Sequence, residues 1–510
     1  MKRFQTLLIT LGTALFFATL FYHRSWGLNM LLFQGVLLLV PVFTKQMIWK
    51  SKTQRALFFT ALLMAAVAFY NHSTVAFFMS WVGLFLFGVA LLDQRVYSMH
   101  LIFLSWLISF PYGIVRLFKK IRFALGQIGL PFNKVRRLTL YILPLGIILV
   151  FLSIYSNANP RFGTYTASFF DGIEQLMSTF FEHLNWTMTG LFLLGLIISG
   201  TYFMGYIPDS YINRDRFDSG VLLRKKRKPF FKIKTMGLKR ERMAAIFTFS
   251  VLNIMLLLLL VTEMQEVWFG FVWEGEYLKE FVHEGMYQLI FSILISMALV
   301  LYFFRGNQNF LQGSKTLKIL AYTWIGLNGL LVISVGIRDF YYIQYFALAY
   351  KRIGVIFFLL ACMVGLWSIF VKVNQRKNAL FLLRVNSFSA YFILCVMALF
   401  NWDVIIAKYN FKNFGNSMVE LDYMSQLSNK AYPYLIQSEK ELKGKQMKQQ
   451  RMLDISSSSF ERKYMDSETY ADMLKNKINT FTYEWETKDW LEWNPAEAKA
   501  YAQLKAMEEQ

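Results

Sequence analysis

The sequence predicts an all-α protein, a polytopic transmembrane bundle of about 11 helices (roughly 10–12 spans are possible), with a small helical extramembrane segment at the C-terminal end. Many long stretches free of Asp, Glu, Lys and Arg are rich in Leu, Ile, Phe and Val. Basic and acidic clusters alternate in the gaps between these stretches. Only 17% of the residues are charged, whereas a soluble globular protein carries about 25%. These observations indicate a multi-pass membrane protein.

The charge-free stretches have the length of membrane-crossing helices. One helix needs about 17–25 apolar residues to cross the roughly 30 Å hydrocarbon core of a bilayer. A helix is required there because it satisfies its own backbone hydrogen bonds without water. The clearest runs are Phe4–Tyr22, Trp26–Thr44, Leu140–Ser156, Thr187–Tyr206, Met243–Thr262, Gly285–Phe304, Ile319–Ile337 and Ile353–Val371. Three further runs complete the predicted spans: Ala56–Tyr70, Thr74–Leu92 and Asn386–Trp402.

One more stretch, Val96–Val115, allows two interpretations. It is long enough to cross, but Pro111 and Gly113 lie near its end. It leads into seven cations: Arg116, Lys119, Lys120, Arg122, Lys134, Arg136 and Arg137. A crossing helix would place these cations outside the cell, against the positive-inside rule. We therefore prefer an interfacial or re-entrant helix, with a spanning helix as the alternative.

The distribution of charge predicts the orientation and excludes nucleic acid as a partner. The net charge is +22, but the segment from Asp403 onward carries 15 basic and 17 acidic residues. The excess positive charge therefore belongs to the short loops of the membrane part. Ile207–Arg242 is strongly basic and Glu263–Glu284 is acidic. We predict a protein of the bacterial cytoplasmic (inner) membrane, with its N-terminus inside, its C-terminus outside and anionic lipid at the basic cytoplasmic loops.

The same pattern divides the chain into four predicted segments. Residues 1–92 form N-terminal helical hairpins, 93–138 an interfacial and basic cytoplasmic segment, 139–402 the membrane core and 403–510 the extramembrane helical tail. In the tail, Asn494 before Pro495, with Glu497 at the third helical position, predicts a capped helix start. The tail has few long apolar runs, so we do not expect a large independent core. Its expected docking residues are Trp485, Trp490, Leu491 and Trp493.

The sequence contains no catalytic signature. A phosphate-binding loop, a zinc-binding HExxH pattern and a GxSxG nucleophile motif are all absent from it. Cys362 and Cys395 lie in apolar runs and are expected to be buried hydrophobes rather than a disulfide. His183 and His283 each neighbour a glutamate, but a solvated position at headgroup level is favoured over a metal or acid–base site. We predict no catalytic, cofactor or metal site.

Three segments in the second half carry a family resemblance. They are Phe281–Leu289, Arg338–Ile343 with Phe346–Arg352, and Asn401–Asn410 with Leu421–Tyr423 and Leu427–Pro433. Together with Asn157–Phe162 they resemble the bacterial multipass families called domains of unknown function 4153 and 4173. In such families a glycine-leucine-threonine sequence precedes the arginine, and here Ala347 and Ala349 replace the glycine and the threonine. The resemblance covers about Leu140–Gln437 and implies a kind of protein without a known chemistry.

Polar residues of these segments fall at or just beyond the predicted outer ends of spans. They form a candidate outer-face cluster: Arg338, Asp339, Arg352, Asn401, Asp403, Asn410 and Asp422. One interpretation is helix capping with ion pairs that fix the outer face. The other is a polar site for a headgroup, a glycan or a periplasmic partner.

These observations favour a non-catalytic scaffold or sensor that engages an envelope protein at its outer face. The alternative is a transporter, or a handler of a lipid-linked substrate. A membrane-embedded transferase would need a placed acid–base pair, which the sequence does not contain. A water-accessible groove reaching the middle of the bilayer would favour transport, and a sealed bundle would favour a scaffold or sensor.

Overall fold

The computed structural model of this protein describes residues 3–44, 51–93, 98–127, 185–224, 237–270, 277–311, 313–454 and 465–509, with position 96 and short runs between 144 and 171. The regular structure in these residues is helical, apart from two isolated bridges, Val221 to Lys377 and Phe414 to Ser417. The predicted all-α class is therefore confirmed. The predicted span Leu140–Ser156 lies largely outside the described residues.

Eleven helices within the described ranges form the apolar part of the bundle. They are α1 (Arg3–Phe21), α2 (Leu28–Phe43), α3 (Lys52–Asn71), α4 (Thr74–Leu92), α5 (Met99–Gln127), α6 (Trp186–Met204), α8 (Leu238–Glu263), α9 (Tyr277–Phe303), α10 (Lys315–Phe346), α11 (Tyr350–Gln375) and α12 (Ala379–Ala398), with the short polar α7 (Asp209–Arg216) after α6. All but α1 and α2 are long and apolar enough to cross a membrane. A polytopic helical bundle is thus confirmed.

Several helices begin where a side chain caps the first turn. Asn185 accepts a hydrogen bond from the Met188 N–H and Asn378 accepts one from the Phe381 N–H, at 3.0 Å each. These side chains satisfy N–H groups that have no partner within the helix. Asparagine therefore marks the starts of α6 and α12.

The described residues fall into two compact units. The first comprises residues 1–59, 84–94 and 103–208. In it α1 packs along α6, and a Cβ at Gly195 would lie 2.9 Å from the Ala14 carbonyl oxygen. α5 approaches α6 equally closely, because a Cβ at Gly113 would lie 2.7 Å from the Thr201 Cα. Glycine at these two positions lets the helix backbones touch.

The second unit comprises residues 60–83, 95–102 and 209–510. In it α10 packs against α8, α9 and α11, and α12 packs against α11. Leucine, isoleucine, valine and phenylalanine fill the space between these helices, as Phe249, Ile293, Leu331 and Val335 show with no exposed surface. This apolar core runs from the first turns of α8 to the last turns of α11.

The tail is a set of helices packed on one end of this second unit. Its elements are α13 (Trp402–Asn413), α14 (Leu421–Ser425), α15 (Tyr432–Leu435), α16 (Glu439–Asp454), α17 (Ser467–Glu486) and α18 (Pro495–Glu508). The predicted cap at α18 is present, since Asn494 accepts a hydrogen bond from the Glu497 N–H at 2.9 Å. Trp485 packs at 6.1 Å from the Tyr501 ring and Leu491 is buried, whereas Trp490 is 68% exposed.

The tail core is larger than the sequence suggested, but it is shared with the membrane helices. Tyr470, Leu474 and Phe481 of α17 are buried in one cluster with Ala347 and Ile353, which flank the α10–α11 connection. The apolar positions of α17 lie within a polar composition, so hydropathy alone does not reveal them. The core is therefore continuous with the bundle rather than independent of it.

Two opposite ends of the second unit carry different chemistry. We call the end that carries the tail the tail face. At the other end, the basic face, Arg242 donates to the Gly313 carbonyl at 3.3 Å and Lys372 donates to the Phe304 carbonyl at 3.3 Å. Arg305 pairs with Glu241 at 3.2 Å. Cations from the ends of three helices, α8, α9 and α11, thus meet at the basic face.

Candidate functional site

The site lies at the tail face, where α10 ends and α11 begins. A cavity of about 460 Å³ opens there between these helix ends, the first turns of α9, and α13 and α14 of the tail. Its polar lining consists of Tyr287, Tyr342, Tyr350, Lys351, Arg352, Asn410, Glu420 and Tyr423. Apolar side chains such as Met286, Phe346 and Val355 complete the wall. The cavity therefore offers both hydrogen-bonding and apolar surface.

The α10–α11 connection is held in an unusual conformation by Arg352. Ala347 has φ of +67°, in the left-handed region that favours glycine. The Arg352 guanidinium donates to the carbonyl oxygens of Phe346, at 2.6 Å, and Ala347. It also lies 4.1 Å from the centre of the Tyr342 ring. These contacts satisfy the last carbonyls of α10 and shape one wall of the cavity.

Two tail residues fix the same connection from the other side. The Asn410 amide donates to the Leu348 carbonyl at 2.9 Å and accepts from the Leu348 N–H at 2.7 Å. The Tyr423 hydroxyl accepts from the Tyr350 N–H at 3.1 Å. Backbone groups that end a helix without a partner are costly to bury. The tail supplies those partners.

Asp403, at the start of α13, is the centre of a buried polar network. Its carboxylate accepts hydrogen bonds from the Tyr350 hydroxyl at 2.8 Å and from the Ser428 hydroxyl. The Lys430 ammonium lies 3.4 Å from the same carboxylate. Tyr350 thus lines the cavity with its ring while its hydroxyl reaches Asp403.

Lys430 extends the network to the turn between α3 and α4. Its ammonium donates to the carbonyl oxygens of Asn71, at 3.2 Å, and His72, at 2.9 Å. Burial lowers the pKa of Lys430, and the nearby Asp403 carboxylate opposes this shift. His72 Nε2 lies 3.8 Å from a Glu497 carboxylate oxygen. Glu497 in turn pairs with Lys488 at 2.6 Å.

A second polar group lies further inside the unit. Arg338 on α10 donates to both carboxylate oxygens of Glu263 at the end of α8, and its Nε contact measures 2.9 Å. Ser334 donates to the same carboxylate at 2.6 Å, and Trp268 Nε1 donates to Ser334 at 3.2 Å. Arg338 and Glu263 are both buried, at about 5% exposure. The pair fixes the C-terminal end of α8 to α10.

The seven residues of the predicted cluster have different environments. Arg352 and Asn410 line the cavity, Asp403 lies behind it, and Arg338 pairs with Glu263. Asp339 is 1% exposed, and its carboxylate has no hydrogen-bond partner among the described residues. Asn401 lines a second, smaller cavity at the tail face. Asp422 is exposed on α14 and lies apart from the network.

The sequence did not identify the partners of these residues. Glu263 belongs to the acidic stretch Glu263–Glu284, which the pattern assigned to an aromatic, acidic surface loop. Lys430 and Glu497 are single charges in a tail rich in both signs. The two residues of each pair are distant in the sequence: Arg338 and Glu263 by 75 positions, Lys430 and Asp403 by 27, and Lys488 and Glu497 by 9. No local spacing signals such pairs.

The described residues contain no group of three or more His, Cys, Asp or Glu side chains arranged to hold a metal ion. Cys362 and Cys395 are free thiols. The cavity at Arg352 offers tyrosine hydroxyls, one guanidinium, one ammonium, an amide and a carboxylate.

Comparison with known proteins places the chain in a family. A family model described as Domain of unknown function (DUF4153) matches residues 10–438. The match begins well before Leu140, so the family similarity extends further toward the N-terminus than the motifs indicated. Searches of curated proteins and of solved structures found no significant match. The chain belongs to the domain of unknown function 4153 family.

Proposed function

We propose that this protein is a non-catalytic scaffold or sensor of the bacterial cytoplasmic membrane, and that it binds an envelope component at its extracytoplasmic face. The observation that carries the proposal is the cavity at Arg352, which is built jointly by the ends of membrane helices and by the tail. A ligand in this cavity would contact both parts at once. Ligand binding would then change the position of the tail relative to the membrane helices of the second unit.

The charge of the helix ends supports the orientation in this proposal. The basic face carries Arg242, Arg305, Lys372 and Arg376 at the ends of three helices, α8, α9 and α11. Cytoplasmic ends of membrane helices are enriched in Lys and Arg. If the basic face is cytoplasmic, the tail face and its cavity lie outside.

The lining of the cavity supports recognition of a partner with mixed polarity. Four of its side chains are tyrosines, which combine a large apolar ring with a hydrogen-bonding hydroxyl. Tyrosine and arginine are enriched where proteins bind their partners. Lys351 is exposed at the rim, so it is available to an acidic group of a ligand.

The packing behind the cavity favours binding over transport. The helices below it are joined by an apolar core that includes Leu331, Val335 and Leu359. The buried Asn328 amide donates to the Trp324 carbonyl of its own helix at 2.8 Å. A polar path through the bilayer would need polar groups that face water. Among the described residues, the apolar packing below the cavity is the observation that favours binding.

Site-specific photocrosslinking in intact cells tests the proposal. A photoreactive amino acid replaces Tyr287, which lines the cavity, or Tyr483, which is exposed on α17 outside the lining. We expect a discrete protein adduct only from position 287. Lys351→Glu should reduce this adduct several-fold, whereas Lys412→Glu, an exposed lysine on α13 that is not in the lining, should not.

Two results would contradict the proposal. Equal adducts from positions 287 and 483 would mean that the cavity has no specific ligand. An adduct that carries lipid or glycan mass but no protein would favour the alternative, a handler of a lipid-linked substrate.

A further inference from the structure

A second cavity at the tail face has the character of an anion site. It measures about 210 Å³ and is lined by three lysines, Lys408, Lys430 and Lys499. Lys408 and Lys499 have no ion-pair partner in the part of the chain that the structure describes. Only Lys430 shares its charge with a carboxylate, that of Asp403. The lining therefore has an excess of positive charge.

Asn401 in the same lining has a buried side-chain atom without a partner in the described part of the chain, which an amide N–H₂ would occupy if the side chain were flipped. Asn401 makes no side-chain cap on α13, and its buried Oδ1 has no partner among the described residues. An asparagine amide can turn its N–H₂ toward an acceptor at little cost. Lys408 is held 4.3 Å from the centre of the Tyr434 ring, which keeps its ammonium beside the cavity.

The position of this cavity indicates where the anion comes from. Tyr70 and Asn71 end the membrane helix α3, and Asn401 follows α12 by three residues. Headgroups of the adjacent leaflet lie at the level of such helix ends. Val404 and Ile405 add apolar surface to the lining, which suits the glycerol and upper acyl region of a lipid.

We propose that this cavity binds the phosphate of an anionic phospholipid in the leaflet next to the tail. Lys408 of α13 and Lys499 of α18 would contact the phosphate from two sides, with the Asn401 amide as a third donor. Because α18 forms one wall, the bound lipid would also fasten the tail to the membrane surface. This site is distinct from the cavity at Arg352 and does not depend on the ligand proposed there.

Native mass spectrometry of the full chain with added phosphatidylglycerol or phosphatidylcholine tests the site. The double variant Lys408→Gln/Lys499→Gln should retain one phosphatidylglycerol fewer than the parent protein. Its matched control, Lys440→Gln/Lys475→Gln, removes two exposed tail lysines outside the lining and should retain the parent number. The variant Lys408→Arg/Lys499→Arg keeps both charges and should retain the parent number of phosphatidylglycerol molecules. It remains a usable comparison if the glutamine variant purifies poorly.

Three outcomes would overturn the proposal. One is equal retention of phosphatidylglycerol by the parent and the glutamine variant. Another is equal retention of phosphatidylcholine and phosphatidylglycerol by the parent. The third is loss of the extra lipid from the parent when inorganic phosphate is added at millimolar concentration, which would identify a soluble anion as the ligand.

Discussion

The Lys430 ammonium lies 3.4 Å from an Asp403 carboxylate oxygen, and both side chains are buried where the tail meets the membrane helices. The ammonium also donates to the backbone of the α3–α4 turn. This single contact joins three parts of the second unit: α13, the loop before α15, and the first helical hairpin of the unit.

Removing Asp403 should therefore destabilise the protein. Asp403→Ala leaves the Lys430 charge buried without a carboxylate, and breaking a buried pair in this way costs about 3–5 kcal/mol. We expect a clearly lower melting temperature for the variant purified in detergent. Asp422→Ala removes an exposed carboxylate on α14 and should change stability by less than about 0.5 kcal/mol. If Asp403→Ala melts like the parent but shows the same phenotype as a deletion of the gene, the carboxylate acts in binding and not in folding.

The buried Arg338–Glu263 pair should likewise contribute more to stability than an exposed ion pair does. Arg338→Met leaves the buried Glu263 carboxylate unpaired and should cost about 3–5 kcal/mol, whereas Arg338→Met with Glu263→Gln should recover part of this loss. The matched control is Lys443→Met, because Lys443 and its partner Glu439 are both more than half exposed, so this substitution should leave the melting temperature nearly unchanged. Thermal unfolding of the parent and the three variants measures the difference. Equal losses at both pairs would refute it.

His72 should make the stability of the tail contact dependent on pH. Burial lowers the pKa of His72 from 6.5 to about 4, with Lys430 and Lys488 acting in the same direction and Glu497 opposing them. Against its own burial, His72 and Lys488 lower the pKa of Glu497.

Because the folded-state pKa of His72 is below the unfolded value, the stabilisation is complete above pH 6.5 and is lost as the pH falls toward 4. The slope is at most about 1.4 kcal/mol per pH unit. His72→Asn should flatten the melting temperature between pH 6.5 and 4, since asparagine tolerates the φ of +47° at this position. His23→Asn, at the other hairpin turn with φ of +53°, is the control. An unchanged slope in His72→Asn would show that other groups set the pH response.

A fusion at Gln510 should report the C-terminus outside the cytoplasm. The basic face should be cytoplasmic, and the tail lies at the opposite end of α10 and α11. We expect an active alkaline phosphatase fusion and a dark fluorescent-protein fusion. A fluorescent, phosphatase-negative fusion would show that the C-terminus is cytoplasmic and that the predicted orientation of the second unit is wrong.

Helix α5 should lie at the membrane surface on the cytoplasmic side. Within the first unit, Ser109 accepts from the Tyr206 N–H at 3.0 Å and Arg116 donates to the Gly205 carbonyl at 2.8 Å. The middle of α5, rather than one of its ends, thus lies beside the C-terminal end of α6.

A cysteine placed at Lys119, in a variant without Cys362 and Cys395, tests this location. It should react with an impermeant maleimide in inverted vesicles but not in intact spheroplasts. A cysteine at Lys440, on the tail, should show the opposite pattern. Labelling at Lys119 from the outside would mean that α5 crosses the membrane.

The sequence predicted the membrane helices well because the cost of burying charge in lipid marks their ends. α6 was expected over Thr187–Tyr206 and covers Trp186–Met204. α10 was expected over Ile319–Ile337 but continues to Phe346, nine residues further. The extension passes through Arg338 and Asp339, which the charge rule treats as the end of a span. Both residues are buried, and Arg338 is paired with Glu263, so the helix does not need to stop there.

The charge pattern that marks the ends of spans also predicted only the polar part of the site. Asp403, Arg352 and Asn410 stood out because they follow the ends of spans, and they do lie at the cavity or next to it. The aromatic half of the lining, such as Tyr350 and Tyr423, was hidden in a chain that is 18% aromatic. Which tyrosines face a cavity depends on how α14 folds back on α11, and hydropathy does not encode that.

The hydrogen bond from Lys430 to the His72 carbonyl spans 358 positions of the chain. A ribosome adding roughly 5–20 residues per second would need on the order of 20–70 seconds to synthesise the intervening segment. During that time the α3–α4 turn lacks the hydrogen bonds that its Asn71 and His72 carbonyls accept from Lys430. The segment around Lys430 then makes a contact that the α3–α4 hairpin cannot make alone. This part of the second unit is therefore complete only late in synthesis, and a stop codon before Lys430 would leave the α3–α4 turn inserted without its ammonium partner.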